Sequence, residues 1–169
     1  VSAAVGVASQ YCGPELAGLK ERLDWVQCRL LDAGAALATP ASSTKDPALV
    51  AGTAFNPSTV VDLEMWIDDM EEDLPKLTNF VLYSGGKCST FLHLARTVCR
   101  RAERSVVVLV EAGDTPSPVG RFLNRLSDFL FVAARFAALR QGHPETAYKA
   151  GTKIAIRDGD AAPARDGKG

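Results

Sequence analysis

Residues Ser117–Gly142, SPVGRFLNRLSDFLFVAARFAALRQG, carry the pattern that decides the fold. Val119, Phe122, Leu126, Phe129, Ala133 and Phe136 recur at steps of three and four, which sets them on one stripe of a helix. Ser117 and Pro118 suit its first turn, and Gly142 marks its end. The same spacing occurs three more times upstream. Leu16, Leu19, Leu23, Val26, Leu30, Ala33 and Leu37 form a stripe between Pro14 and Pro40. Val60, Leu63, Ile67, Met70 and Leu74 form a shorter one, with Asn56 as a cap, Pro57 in the first turn and Pro75 at the end. From about Ser89 to Glu111, Phe91, Ala95, Val98, Ala102 and Leu109 are expected to face a neighbour, with Gly113 as terminator. Within it, Ser105–Val110 is β-branched enough for a strand, but its continuity with the periodic segment favours helix.

No strand pair or βαβ alternation appears, so these helices predict an all-α, antiparallel up-and-down bundle. Val1–Tyr11 has Val5 and Ala8 at helical spacing but no cap, and reads as a truncated first helix whose beginning lies earlier. The Ala38–Phe55 connection is longer than bundles need, and is expected to be mobile or engaged with a ligand or another subunit. Residues 1–148 form the bundle domain, and 149–169, rich in Gly, Asp, Ala and Lys, are expected to be a disordered tail.

The chain has 169 residues, 47% hydrophobic, enough for a single core that needs no metal or disulfide. Nineteen Lys and Arg against 20 Asp and Glu argue against nucleic acid and polybasic membrane binding. Apolar stretches such as Val106–Val110 are too short to span a bilayer. No stretch reads as a signal or transit peptide, with removal of a segment ahead of Val1 left open. Cys12, Cys28, Cys88 and Cys99 lack the paired spacing of a zinc site and read as reduced thiols.

The balanced totals conceal segregation. Asp62, Glu64, Asp68, Asp69, Glu71, Glu72 and Asp73 make one helix acidic, whereas the next carries Arg96, Arg100, Arg101 and Arg104 with Glu103. Arg96, Arg100 and Glu103 share a stripe, Arg104 flanks it, and Arg101 lies further round. Arginines four apart repel one another, so something anionic should offset them. Pairing with the acidic helix or another subunit would do so; so would a polyphosphate, whose oxygens match guanidinium forks. On the last helix Asn124, Asp128 and Arg135 share a polar stripe with Arg125 at its flank, fit either for a buried salt-bridge network or for one wall of a pocket.

Other motifs are weak. Gly85-Gly86-Lys87-Cys88 lacks both the first glycine and the Ser or Thr of a Walker loop. His93 and His143 form no Glu-x-x-His pair, which removes a di-iron centre, and no metal-ligating set is expected. His93, beside the arginine stripe, suits an ordinary polar or half-buried role. By themselves Phe80 and Tyr83 read as packing aromatics at a bundle end.

Four stretches carry a family resemblance: Leu23–Pro40 (LDWVQCRLLDAGAALATP), Leu77–Lys87 (LTNFVLYSGGK), His93–Arg104 (HLARTVCRRAER) and Phe122–Arg135 (FLNRLSDFLFVAAR). With RTVCRRAER and LNRLSDFLF as the most specific blocks, Val1 to about Gly142 resembles the PduO-type ATP:cob(I)alamin adenosyltransferases, including the mitochondrial enzyme of animals. The resemblance implies a homotrimer of five-helix bundles, in which Co(I) of cobalamin attacks the 5' carbon of ATP, giving adenosylcobalamin and triphosphate. It implies ATP and cobalamin as ligands with Mg2+, a reductase and methylmalonyl-CoA mutase as partners, and the mitochondrial matrix, or the cytoplasm of a bacterium, as location.

By motif, Arg100, Arg101, Glu103, Arg104 and Asn124 match ATP-binding positions, with Arg100, Asn124 and Phe80 as the catalytic set. Phe80 matches the phenylalanine at the lower corrin face that displaces the axial ligand, in place of the packing role above, and Phe131 matches another corrin contact. Arg96, Arg125 and Asp128 match subunit-interface positions. Tyr83 stands where many relatives have Pro. Relatives also carry, ahead of the position of Val1, a Thr- and Gly-rich phosphate loop and an Asp-Glu pair whose Asp would meet Arg96, so the chain taken alone is expected to bind ATP weakly. The alternative is a catalytically impaired cobalamin-binding or chaperone trimer.

Overall fold

The computed structural model describes residues 1–149 and 151. Six α-helices follow in order: α1 (Ser2–Ser9), α2 (Ala17–Leu37), α3 (Pro47–Gly52), α4 (Thr59–Glu71), α5 (Gly86–Glu111) and α6 (Ser117–Arg140). A short 3-10 turn, Pro14–Leu16, leads into α2. Helices α1, α2, α4, α5 and α6 make the bundle, with α6 packed along α5 and α4, and α1 between α5 and α2. The all-α bundle read from the spacing is the fold.

Helix α6 is the axis of the core. Val119, Phe122, Leu126, Phe129 and Ala133 are buried as their spacing predicts, and Phe136 is half-buried. Leu123, Leu130, Val132, Ala134, Ala137 and Ala138 are buried too, so α6 is apolar around most of its circumference because helices lie on several sides. The Phe122 ring lies 5.1 Å from Phe55, and Phe129 lies 5.9 Å from Trp66, which meets Trp25 edge-on at 4.9 Å.

Two expectations are corrected. On α5 the buried residues are Cys88, Ser89, Leu92, His93, Ala95, Cys99 and Val106, whereas Leu109 is exposed and Phe91, Val98 and Ala102 are only half-buried. The core face is turned by somewhat less than the ~100° of one residue, because α5 is wedged between α6 and α1 and buries cysteines and a histidine. The 38–55 connection engages its own chain. Ala41 N–H donates to the Asp114 carbonyl at 3.2 Å, Ser42 N–H donates to the Asp114 carboxylate at 3.1 Å, and Phe55 is buried. Asn56 accepts from Ser58 N–H at 2.9 Å and so closes the turn ahead of α4, which starts at Thr59.

The approach to α5 requires glycine. Gly85 has φ +95° and a Cβ there would lie 2.5 Å from Ala138 Cβ; Gly86 has φ +85° and a Cβ would meet the His143 ring at 2.3 Å. These two residues let α5 begin hard against the end of α6. The preceding loop is pinned from the other side. Leu82 N–H donates to the Thr146 carbonyl at 2.8 Å, Tyr148 N–H donates to the Phe80 carbonyl at 2.7 Å, and Val81 and Ala147 form one antiparallel bridge, a pairing absent from the sequence reading. The tail expected after residue 148 lies almost wholly outside the described residues.

Candidate functional site

The acidic helix and the arginine helix do not neutralise each other. Three acids of α4 and the turn after it pair elsewhere: Glu64 with Arg125 at 3.2 Å, Asp69 with Arg22, and Asp73 with Arg140 at 2.5 Å. Among the described residues, none of Arg96, Arg100, Arg101 and Arg104 forms a salt bridge. Arg100, Arg101 and Arg104 are exposed, where solvent weakens their repulsion.

Glu103 does not neutralise them by contact; its carboxylate accepts from the Asn124 amide at 2.6 Å across the α5–α6 seam. Further along that seam the Arg96 guanidinium lies over the Phe131 ring, 5.2 Å from its centroid. These two contacts fix the register. Seven residues separate Arg96 from Glu103, and seven separate Asn124 from Phe131, so the two places lie two turns apart, about 10 Å along both helices. The Arg96 Nε is buried without a hydrogen-bond partner among the described residues.

An aromatic region opens beyond Phe131. Phe131 lines a cavity of about 420 Å³ with Leu74, Pro75, Leu77 and Arg135, and Leu77 also lines a cleft of about 530 Å³ that holds Phe80 and Tyr148. The Phe80 side chain is 82% exposed, an unusual state for a large apolar ring. It therefore contributes little packing within the chain.

The other candidates divide. Arg125 pairs with both Glu64 and Asp128, the latter at 3.1 Å, on the outside of α6. Arg135 leaves the polar stripe it shares in sequence with Asn124 and Asp128: it is buried, forms an ion pair with Glu145 at 3.1 Å and donates to the Pro75 carbonyl at 2.9 Å. The salt-bridge reading thus holds for Arg135, and Asn124 belongs to the arginine face.

His93 is more deeply buried than its sequence position predicts, at 2% exposure, with the Tyr83 ring at 4.9 Å and the Phe131 ring at 6.0 Å. Its Nδ1 has no partner among the described residues. Burial, with Arg96 adding to it and Glu145 opposing, pushes the imidazole down to about 4, so it is neutral at pH 7. The unfolded chain takes up this proton near 6.5 and the folded chain only near 4. Stability from this group is therefore complete above pH 6.5 and is lost as pH falls to about 4, by roughly 2 kcal/mol after allowance for partial solvation. Urea titrations at pH 7 and pH 4.5 should show a smaller drop for His93→Gln than for the parent chain; an equal drop would assign the loss to other groups.

The fold and seam define a class: a helical bundle with arginines that form no salt bridge among the described residues beside a hydrogen-bonded Glu–Asn pair, two turns from half-buried Phe131. The family model described as cobalamin adenosyltransferase matches residues 1–137. This chain belongs to the cobalamin adenosyltransferase family. It is 48% identical over 149 residues to the corrinoid adenosyltransferase MMAB of Bos taurus, covering 88% of this chain and 61% of the bovine protein. The corrinoid adenosyltransferase of Bacillus subtilis is 38% identical over 145 residues, 86% of this chain and 71% of that protein. A variant PduO-type ATP:corrinoid adenosyltransferase from Lactobacillus reuteri, solved with cobalamin and ATP, superposes with a TM-score of 0.79 at 32% identity, over 88% of this chain and 80% of that one. The chain thus spans about three fifths of the length of the mammalian relatives it matches.

Proposed function

We propose that this chain transfers the 5'-deoxyadenosyl group of ATP to the cobalt of cob(I)alamin, giving adenosylcobalamin and triphosphate. The observation that carries the reading is the α5–α6 seam, which sets the Glu103–Asn124 pair about two turns from Arg96 and Phe131, with Arg100 between them about one turn from Arg96. The PduO-type structure solved with ATP and cobalamin has the same fold and supports it.

Arg100, Arg101 and Arg104 would take the triphosphate, since bidentate guanidinium contacts both hold and orient phosphate oxygens. Asn124 and Glu103, already bonded to each other, would position the nucleotide. Glu103 also offers a carboxylate for Mg2+ carried on the phosphates, and one carboxylate plus phosphate oxygens is an ordinary magnesium set.

The substrate's Co(I) contributes the electron pair to the new Co–C bond as the 5' C–O bond breaks. Negative charge then gathers on the departing triphosphate, where the arginines stabilise it, and no proton needs to move. Phe80 would cover the lower face of the corrin and displace its axial ligand, with Phe131 as a second apolar contact. An exposed phenyl ring in a cleft of about 530 Å³ suits a large flat ligand.

The same reading takes residues 1–148 as the catalytic domain and assembles it as a homotrimer, with Arg96, Arg125 and Asp128 at the interface. The buried Nε atoms of Arg96 and Arg125 have no partner among the described residues, which supports an acceptor supplied from outside the protomer. It also includes a reductase that supplies electrons, methylmalonyl-CoA mutase as receiver and a mitochondrial matrix location. Identity of 48% to the bovine protein against 38% to the Bacillus one supports that location over bacterial cytoplasm. Among the described residues no helix is long and apolar enough to cross a membrane.

One anaerobic assay tests the activity: reduced cobalamin, ATP and Mg2+, followed through the cobalt spectrum. Conversion to adenosylcobalamin with stoichiometric triphosphate is the expected result. Cobalamin binding without conversion would replace catalysis by a carrier role, and no binding would reduce the chain to a scaffold.

A further inference from the structure

Cys12 and Cys88 are 76 residues apart in sequence, yet their Sγ atoms lie 3.6 Å apart. Cys88 is fully buried in the first turn of α5, where two positive-φ glycines and the wall of α6 hold the backbone. Cys12 is half-exposed and lies past the end of α1, in a turn whose Cys12 N–H donates to the Ser9 carbonyl at 3.2 Å. Neither of the other thiols is so placed. Cys28 is exposed on α2, and the buried Cys99 donates to the Leu123 carbonyl at 3.3 Å.

From this geometry we infer that Cys12 and Cys88 form a redox-sensitive site, which a hydroperoxide joins into an intramolecular disulfide tying the end of α1 to the first turn of α5. A disulfide needs the sulfurs at about 2.05 Å, so they must close by about 1.5 Å. The turn at Cys12 can supply that movement without unwinding α1, which ends at Ser9. Half-exposed Cys12 is reachable by a small oxidant from solvent, and a cavity of about 710 Å³ lined by Tyr11, Glu15, Lys87, Arg140 and His143 borders Cys88.

The two thiols take different parts. The hydrogen bond with Cys88 holds the Cys12 thiol below its ordinary range, aided by Lys20, while the same bond and burial push Cys88 up. Cys12 is therefore the thiolate that attacks. Its sulfur bonds to one peroxide oxygen, the O–O bond breaks, and hydroxide leaves with the displaced electron pair, giving a sulfenic acid. The Cys88 sulfur then displaces that hydroxyl. The S–S bond forms, the S–O bond breaks, and the thiol proton leaves with the oxygen as water. Overall, two thiols lose two electrons and two protons, and one peroxide becomes two waters.

Treatment of the full 169-residue chain with hydrogen peroxide should remove the mass of two hydrogens per chain. A non-reducing tryptic digest should then contain the peptide Val1–Lys20 linked to Cys88–Arg96. Cys12→Ser and Cys88→Ser should each abolish the linked pair, Cys28→Ser should leave it, and the oxidised chain should melt on the order of 5 °C higher than the reduced one. Peroxide that yields only sulfinic acid or Cys28-linked dimers would overturn the proposal. So would linkage at the same rate in urea-unfolded chain, or an unchanged melting temperature. None of these readouts depends on the adenosyltransferase reading.

Discussion

Phe80→Ala is expected to slow adenosylcobalamin formation from cobalamin carrying its lower base by about 100-fold or more, equivalent to about 2.7 kcal/mol of barrier. The phenyl ring is 82% exposed and packs against little in its own chain, so its removal should leave the melting temperature of the apo-protein almost unchanged. That combination separates a wedge from a packing residue. Loss of packing lowers stability first and affects all corrinoids alike, whereas loss of the wedge acts through the axial ligand. A corrinoid that lacks the lower base should therefore be adenosylated by Phe80→Ala with a much smaller defect. The comparison is read by anaerobic single-turnover spectra of both substrates, and parental turnover of the base-on form would remove Phe80 from the mechanism.

Arg100→Ala should lower kcat/KM for ATP by about 100-fold, the usual cost of removing one charge-assisted contact to a developing oxyanion. Arg100 is exposed and without a salt bridge among the described residues, so thermal stability should be preserved or slightly raised as repulsion within the helix falls. Arg100→Lys should recover only part of the loss, because a point charge lacks the planar fork. Steady-state kinetics with varied ATP at saturating reduced cobalamin measure both variants. An Arg100→Ala enzyme with parental kcat/KM would move the triphosphate elsewhere.

The α6 stripe was legible because its apolar residues are large and its spacing regular, and each predicted core position but half-buried Phe136 is buried. The α5 stripe was misread by most of a residue because the reading followed Phe91, Val98 and Leu109 and left out Cys88, His93 and Cys99, all of which are buried. Spacing could place Arg96, Arg100 and Glu103 on one face, but it could not show that Glu64, Asp69 and Asp73 pair with Arg125, Arg22 and Arg140 instead. Nor could it separate Arg135, whose partner Glu145 follows the helix in aperiodic sequence, from Asn124, whose partner lies across the seam. The buried state of His93 and the Cys12–Cys88 contact depend on tertiary packing and leave no local signal. The roles given to Phe80 and Phe131 came from the family resemblance; the structure adds that one ring is bare and the other lies beneath a guanidinium.

The loop bearing Phe80 is fastened to residues 146–148 through main-chain atoms, by Leu82 to Thr146 and Tyr148 to Phe80. Such a fastening is nearly blind to side-chain identity. Thr146, Ala147 and Tyr148 are exposed and can drift among homologues without disturbing the loop, so sequence variability there would understate their importance. Proline is the exception. At position 82 or 148 it would delete a donor, and a substitution that leaves the Phe80 ring itself unchanged would set the aromatic loop adrift.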